Sequence, residues 1–184
     1  MKIAFTMAHE RGEIDRLLAG LANRLLAAGS RICGTIQTNS ERGDLGPCDM
    51  DIKVLPDGPV IRISQSLGVA SQGCRLDPGA LETAVHLVEQ SMTTGCDLLL
   101  VNKFGKHEAE GRGFRNVIAE AMVREIPVLV GLNPLNREAF QDFTGGLAEE
   151  LPPDEAVLLD WLGFGAVGTL RPVKRSGTLA PNGA

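Results

Sequence analysis

Short aliphatic runs alternate with stretches of helical period along nearly the whole chain, and this alternation restricts the fold more than any other feature. Lys2–Met7, Arg31–Gln37, Asp97–Asn102 and Pro127–Leu132 read as strands. The first predicted helix, Glu13–Ala28, places Ile14, Leu17, Leu18, Leu21 and Leu25 on one face and stops at Gly29. Asp77-Pro78 starts a second, with the acid at the cap, proline in the first turn, and Leu81, Val85, Val88 and Met92 inward. A third spans Arg112–Glu125, Asn133-Pro134 opens a fourth, and Asp154–Leu162 makes a fifth. Asp51–Leu55 and Val60–Ser64 flank Pro56-Asp57-Gly58-Pro59 as the arms of a hairpin. Strand–helix alternation predicts an α/β fold in three layers, a mostly parallel sheet flanked by helices, with ligands beyond the carboxyl ends of the strands. The loops after Met7 and Asn102 are then the places to search. Asp97–Asn102, the most apolar run, is expected at the sheet's centre.

A chain of 184 residues suits one domain. The domain is placed at residues 1–165 and a Gly-, Pro- and Arg-containing tail at 166–184, whose Arg171–Arg175 stretch is a candidate docking arm. Aromatics make up 4%, with no Tyr and one Trp, and the net charge is −5. That composition supplies neither stacking platforms nor a basic stripe, so nucleic-acid binding is not expected. The apolar start, Met1 to Ala8, is cut short by His9-Glu10-Arg11, and no other apolar run approaches a membrane span. The expectation is therefore a cytoplasmic protein without membrane contact, and a homo-oligomer is compatible with it. Cys33, Cys48, Cys74 and Cys96 have no metal-finger spacing and read as reduced thiols, with Cys33 and Cys96 buried beside strands.

The first loop, Met7-Ala8-His9-Glu10-Arg11-Gly12-Glu13-Ile14, stands where a strand–helix junction can cradle phosphate. The phosphate-loop pattern needs two glycines, a lysine and a hydroxyl. Only Gly12 remains: Met7 stands at the first glycine, Glu13 at the lysine and Ile14 at the hydroxyl. Glu13 and Asp15 put carboxylates in the first helical turn, where the helix dipole favours them by about 0.3–1 kcal/mol each. His9 and Arg11 are the groups left to touch an anion.

Basic side chains instead concentrate after the central strand, in Asn102-Lys103-Phe104-Gly105-Lys106-His107-Glu108-Ala109-Glu110-Gly111-Arg112-Gly113-Phe114-Arg115. Three glycines permit close backbone approach to a ligand. Arg112 and Arg115 fall in the opening turn of the third predicted helix, where a cation opposes the dipole, so a bound anion is the natural reason for them. The bland reading pairs Glu108 and Glu110 with Lys106, Arg112 or Arg115 on a wet surface. Ser71 and Arg75, ahead of the second helix, offer further donors. His86 shares a polar face with Glu82 and Gln90 and reads as solvated, whereas His107, among the glycines, is the candidate for proton chemistry.

The order of elements, with Gly105 and Glu108 after the central strand, resembles the small nucleoside-triphosphatases first known from thermophiles, of the P-loop class. In that family an acidic pair ends the central strand; here Asn102 stands where the magnesium-binding acid would be and Lys103 where the water-organising acid would be. The motifs Asn102-Lys103-Phe104-Gly105-Lys106, Gly73-Cys74-Arg75-Leu76-Asp77-Pro78 and Phe143-Thr144-Gly145-Gly146-Leu147-Ala148 more closely resemble an uncharacterised bacterial family, described only as a domain of unknown function and associated with molybdate-transport genes. The resemblance implies a P-loop-like fold with a degenerate nucleotide site, and molybdate or tungstate handling.

Phosphoryl transfer rests on a lysine, magnesium and a residue that orients water. Their replacement points away from an enzyme and toward a non-hydrolysing oxyanion-binding accessory or sensor protein. The candidate ligand-binding residues are Lys103, Lys106, His107, Arg112, Arg115, Ser71, Arg75, His9, Arg11, Gly12, Asn102 and Gly105. No catalytic residue, metal ligand or resident cofactor is assigned; the expected ligand is a small anion, molybdate or tungstate ahead of a nucleotide with magnesium. An atypical nucleotide-using enzyme with His107, Glu108 or Glu110 as acid/base, and a ligand-free structural adaptor, are the alternatives.

Overall fold

The structure, a computed structural model, describes residues 1–10, 12–40, 48–65 and 75–164. Arg11, Ser71, Cys74 and the 166–184 tail lie outside them. The element order is β1 (Ile3–Thr6), α1 (Glu13–Ala27), β2 (Ile32–Ser40), β3 (Asp49–Leu55), β4 (Val60–Arg62), α2 (Pro78–Thr93), β5 (Leu98–Phe104), α3 (Lys106–Ala109), α4 (Arg115–Val123), β6 (Val128–Leu132), α5 (Arg137–Phe143), β7 (Glu149–Leu151) and α6 (Glu155–Leu162). A single 3₁₀ turn, Pro134–Asn136, leads into α5.

Among the described residues the strands form a seven-stranded sheet in the order β4-β3-β2-β5-β6-β1-β7. The pairs β2–β5, β5–β6, β6–β1 and β1–β7 are parallel. The β3–β4 hairpin adds antiparallel pairs at one end. β5 thus lies inside the sheet, and its first five residues are all buried.

Side-chain alternation divides each central strand between two cores. Ile3, Phe5, Leu99, Val101, Val128 and Val130 face a core completed by Val85 and Val88 of α2, Val117 and Ile118 of α4, and Phe140 of α5. Ala4, Leu98, Leu100 and Leu129 face the other, completed by Leu18, Leu21 and Leu25 of α1 and Leu158 of α6. Each fully buried leucine of α1 contributes about 1.5–3 kcal/mol relative to exposure. Two covered faces explain why the central strands are apolar throughout.

The helix starts follow the expected chemistry. Asp77 accepts from the Ala80 amide, and Asp154 accepts from those of Ala156 and Val157. α4 begins at Arg115 rather than Arg112, because the glycine-containing segment before it folds separately into α3 and a turn. Gly34 has a φ of 118° within β2, and a Cβ there would overlap the Leu100 carbonyl of β5. Cys33 is buried and Cys96 half-buried, and neither is in a disulfide. A hydrogen bond from Cys96 lowers the Cys33 thiol to about 7. The described residues contain no helix long and apolar enough to cross a membrane.

Candidate functional site

The loop after β1 passes into α1 at Gly12, whose φ of 75° is a left-handed conformation that glycine adopts without strain. Glu13 turns back, and its Oε2 accepts from the Glu10 amide at 3.4 Å. An acid of the loop itself therefore meets an amide that a phosphate loop would offer to its ligand.

Asp15, in the first turn of α1, is 5% exposed. Its Oδ1 accepts from Asn102 Nδ2 at 3.0 Å and pairs with Lys103 Nζ at 3.1 Å. Its Oδ2 accepts from Asn39 Nδ2 at 2.5 Å, and Asn39 Oδ1 accepts from Gln37 Nε2 at 2.8 Å. A polar chain thus crosses the carboxyl edge of the sheet from β2 through α1 to β5. The pairing of β5 with β6 shifts register between Asn102 and Phe104, an irregularity of the kind that redirects a side chain. Gly131 of β6 leaves room for this arrangement, since a Cβ there would lie 3.0 Å from Asn102 Oδ1 and 2.8 Å from Leu18 Cδ1.

Past β5, Gly105 precedes the short helix α3, and the Glu108 side chain reaches back to accept from the Gly105 amide at 2.8 Å. The other Glu108 oxygen accepts from Phe114 N at 3.4 Å. Glu108 is 3% exposed, and burial raises its carboxyl above the usual range. Gly113, with φ 56°, is required beside it, because a Cβ would collide with that carboxylate. Glu108 is accordingly an internal brace of the loop and not the surface ion-pair partner of the bland reading; Glu110 follows that reading, pairing with both Arg112 and Lys106.

Among the cavities that open along this edge, two take in most of the candidate residues. One, of about 530 Å³, lies over the first loop and includes His9, Gly12, Asp15, Asn39, Lys103 and Asn133. The second, of about 620 Å³, lies between the β3–β4 hairpin, α2 and the loop after β5. Arg75, Asn102, Lys103, Gly105, Lys106, His107 and Arg112 all line it. Lys103 and Arg75 belong to both. Arg75 Nη1 donates to the Cys48 carbonyl at 2.8 Å, and its Nη2 lies 3.7 Å from Asp49. Arg115 lines neither cavity: it donates to the Glu108 carbonyl at 3.4 Å and lies over the Phe143 ring at 4.3 Å. Its place in the first turn of α4 is explained by these contacts without any anion. Arg11 and Ser71 lie outside the described residues.

His107 is 8% exposed, and its Nε2 has no hydrogen-bond partner among the described residues; the nearest acid, Glu82 Oε1, is at 3.6 Å. His86, in contrast, is exposed and bonded to Gln90, as its polar face predicts. Gln37 and Asn39 are members of the site that the motif reading passed over, and Asp15, read there only as a first-turn carboxylate, joins them to β5. The only advance signal was two amides at alternate positions near the end of a buried strand.

This donor set does not fit a metal-bound triphosphate. The carboxylate in the first turn of α1 is engaged by two amides and an ammonium, and that ammonium comes from β5 and not from the first loop.

A human cancer-related nucleoside triphosphatase solved in solution shares the fold at a TM-score of 0.58, with 14% identity, covering 83% of this chain and 88% of the other. The molybdenum import ATP-binding protein ModC 2 of Bradyrhizobium diazoefficiens is 35% identical over 160 residues. That match takes in 87% of this chain but only 18% of the relative's length. The family described as a protein of unknown function, DUF2478, matches residues 3–161. With a match of that extent, the chain belongs to the DUF2478 family.

Proposed function

We propose that this chain is a non-hydrolysing accessory or sensor domain that binds an oxyanion on the loop after β5, in the handling of molybdate or tungstate. The observation that carries the reading is the convergence of Arg75, Lys103, Lys106 and Arg112 on one cavity, where Asp15 meets Lys103, Asp49 lies near Arg75, and Lys106 and Arg112 stand with Glu108 and Glu110. Lys106 and Arg112 share the single Glu110 carboxylate, which leaves a surplus of positive charge at the rim. A tetrahedral anion is well matched to such donors. The name of the ModC relative, a molybdenum import protein, supports the choice of anion.

Calorimetric titration with molybdate, tungstate, sulfate and phosphate, without added metal, tests the proposal. At least one oxyanion should bind below millimolar concentration, and Arg112→Ala together with Lys106→Ala should weaken it by roughly tenfold or more. Failure of every oxyanion to bind in that range would overturn it. A second reading, nucleotide held without hydrolysis in the 530 Å³ cavity over Gly12, is favoured by that cavity's position beyond β1. In the same titration it would appear as binding of ATP or GTP that survives the two substitutions.

A further inference from the structure

The cavity that holds the cations is much larger than a bare oxyanion needs, and one of its walls is apolar. Ile52 of β3, Ile63, Leu76, Leu81 of α2 and Phe114 line it together with Lys103, Lys106 and Arg112. Its volume of about 620 Å³ lies within the range of roughly 300–1,000 Å³ typical of sites for organic ligands. A five-atom tetrahedral anion seated on the cations would leave most of that volume, and half-buried Leu76, untouched. A cavity with an apolar wall and a few polar groups at one side is the ordinary form of a site for an amphipathic small molecule.

Resting on the proposed anion site, we infer that it also takes an organic anion: a ring-bearing phosphate or carboxylate whose charged head meets Lys103, Lys106 and Arg112, and whose ring lies against half-buried Leu76 and the aliphatic lining around it. The head supplies charge complementarity at the rim, and the ring supplies the apolar burial that a bare oxyanion cannot.

The test compares inorganic phosphate, molybdate and 1-naphthyl phosphate as calorimetric ligands of the full chain. The ring should tighten binding at least about tenfold over inorganic phosphate. Leu76→Gln, at a half-buried position of the wall, should remove most of that gain while phosphate affinity changes by less than about twofold. Ile63→Ala is the second wall variant, and circular dichroism of both establishes that they fold. Equal affinity for phosphate and naphthyl phosphate, or a gain that survives both substitutions, overturns the ring inference and leaves the anion site standing. Absence of binding by all of the anions overturns both.

Discussion

Lys103→Met would leave the Asp15 carboxylate with two amide donors and no cation, in a place where Asp15 is 5% exposed. Removing one partner of a buried charged pair exposes the desolvation cost of the other, so the substitution should lower stability by about 1–3 kcal/mol. Adding Asp15→Asn should cost less than the sum of the single changes, and a urea-denaturation double-mutant cycle reads the difference. Additive losses would mean that the two groups do not depend on each other. Glu108 gives a pH signature. Its folded carboxyl titrates above the ordinary value of 4.5, so the folded state holds its proton more tightly than the unfolded chain. The stability it contributes is present in full below that value and declines as pH rises through the folded one. The stability difference between the natural protein and Glu108→Gln should therefore shrink from pH 4.5 to pH 7. Urea midpoints at the two pH values measure it, and a difference that grows with pH would contradict the assignment.

At the scale of elements, the strongest local signals were physical necessities of capping and periodicity. Asp77-Pro78 and Asp154 marked helix starts because their carboxylates satisfy amides left open at the first turn, and both do so in the structure. Asp77→Ala should cost about 1 kcal/mol in thermal denaturation for that reason. α3 escaped the sequence reading because its four residues are too few to show a 3.6-residue period. β7 escaped because Glu149-Glu150-Leu151 on a sheet edge carries no apolar alternation. The candidate site was legible as a concentration of basic residues, but which acid meets which base was not. Asp15 and Lys103 meet only through β5, α1 and the register shift after Asn102, none of which leaves a local signature. Arg115 shows the opposite error: its position suggested a ligand, and the Phe143 ring and the Glu108 carbonyl account for it. Gly34 is the element-scale constraint that the sequence did not announce. Gly34→Ala forces a Cβ into the Leu100 carbonyl at φ 118° and should destabilise the protein by about 3 kcal/mol or more, seen as a large fall in melting temperature. A change within 0.5 kcal/mol, the usual range for unconstrained sites, would contradict the close β2–β5 approach.

For the whole molecule, two covered sheet faces give a rigid platform, and the chemistry gathers at the carboxyl edge, where such folds place their ligands. What distinguishes this edge is that an acid of α1 pairs with a base of β5, and that base lines a second cavity together with Arg75, Lys106 and Arg112. The central claim is that this exchange of charge removes magnesium–triphosphate chemistry and leaves anion binding. Nucleotide binding and phosphate release, measured with ATP and GTP in the presence and absence of magnesium, test it most directly. The account predicts no magnesium-dependent gain in nucleotide affinity and no phosphate release above the protein-free rate. Triphosphate binding below millimolar that requires magnesium, followed by hydrolysis, would contradict it.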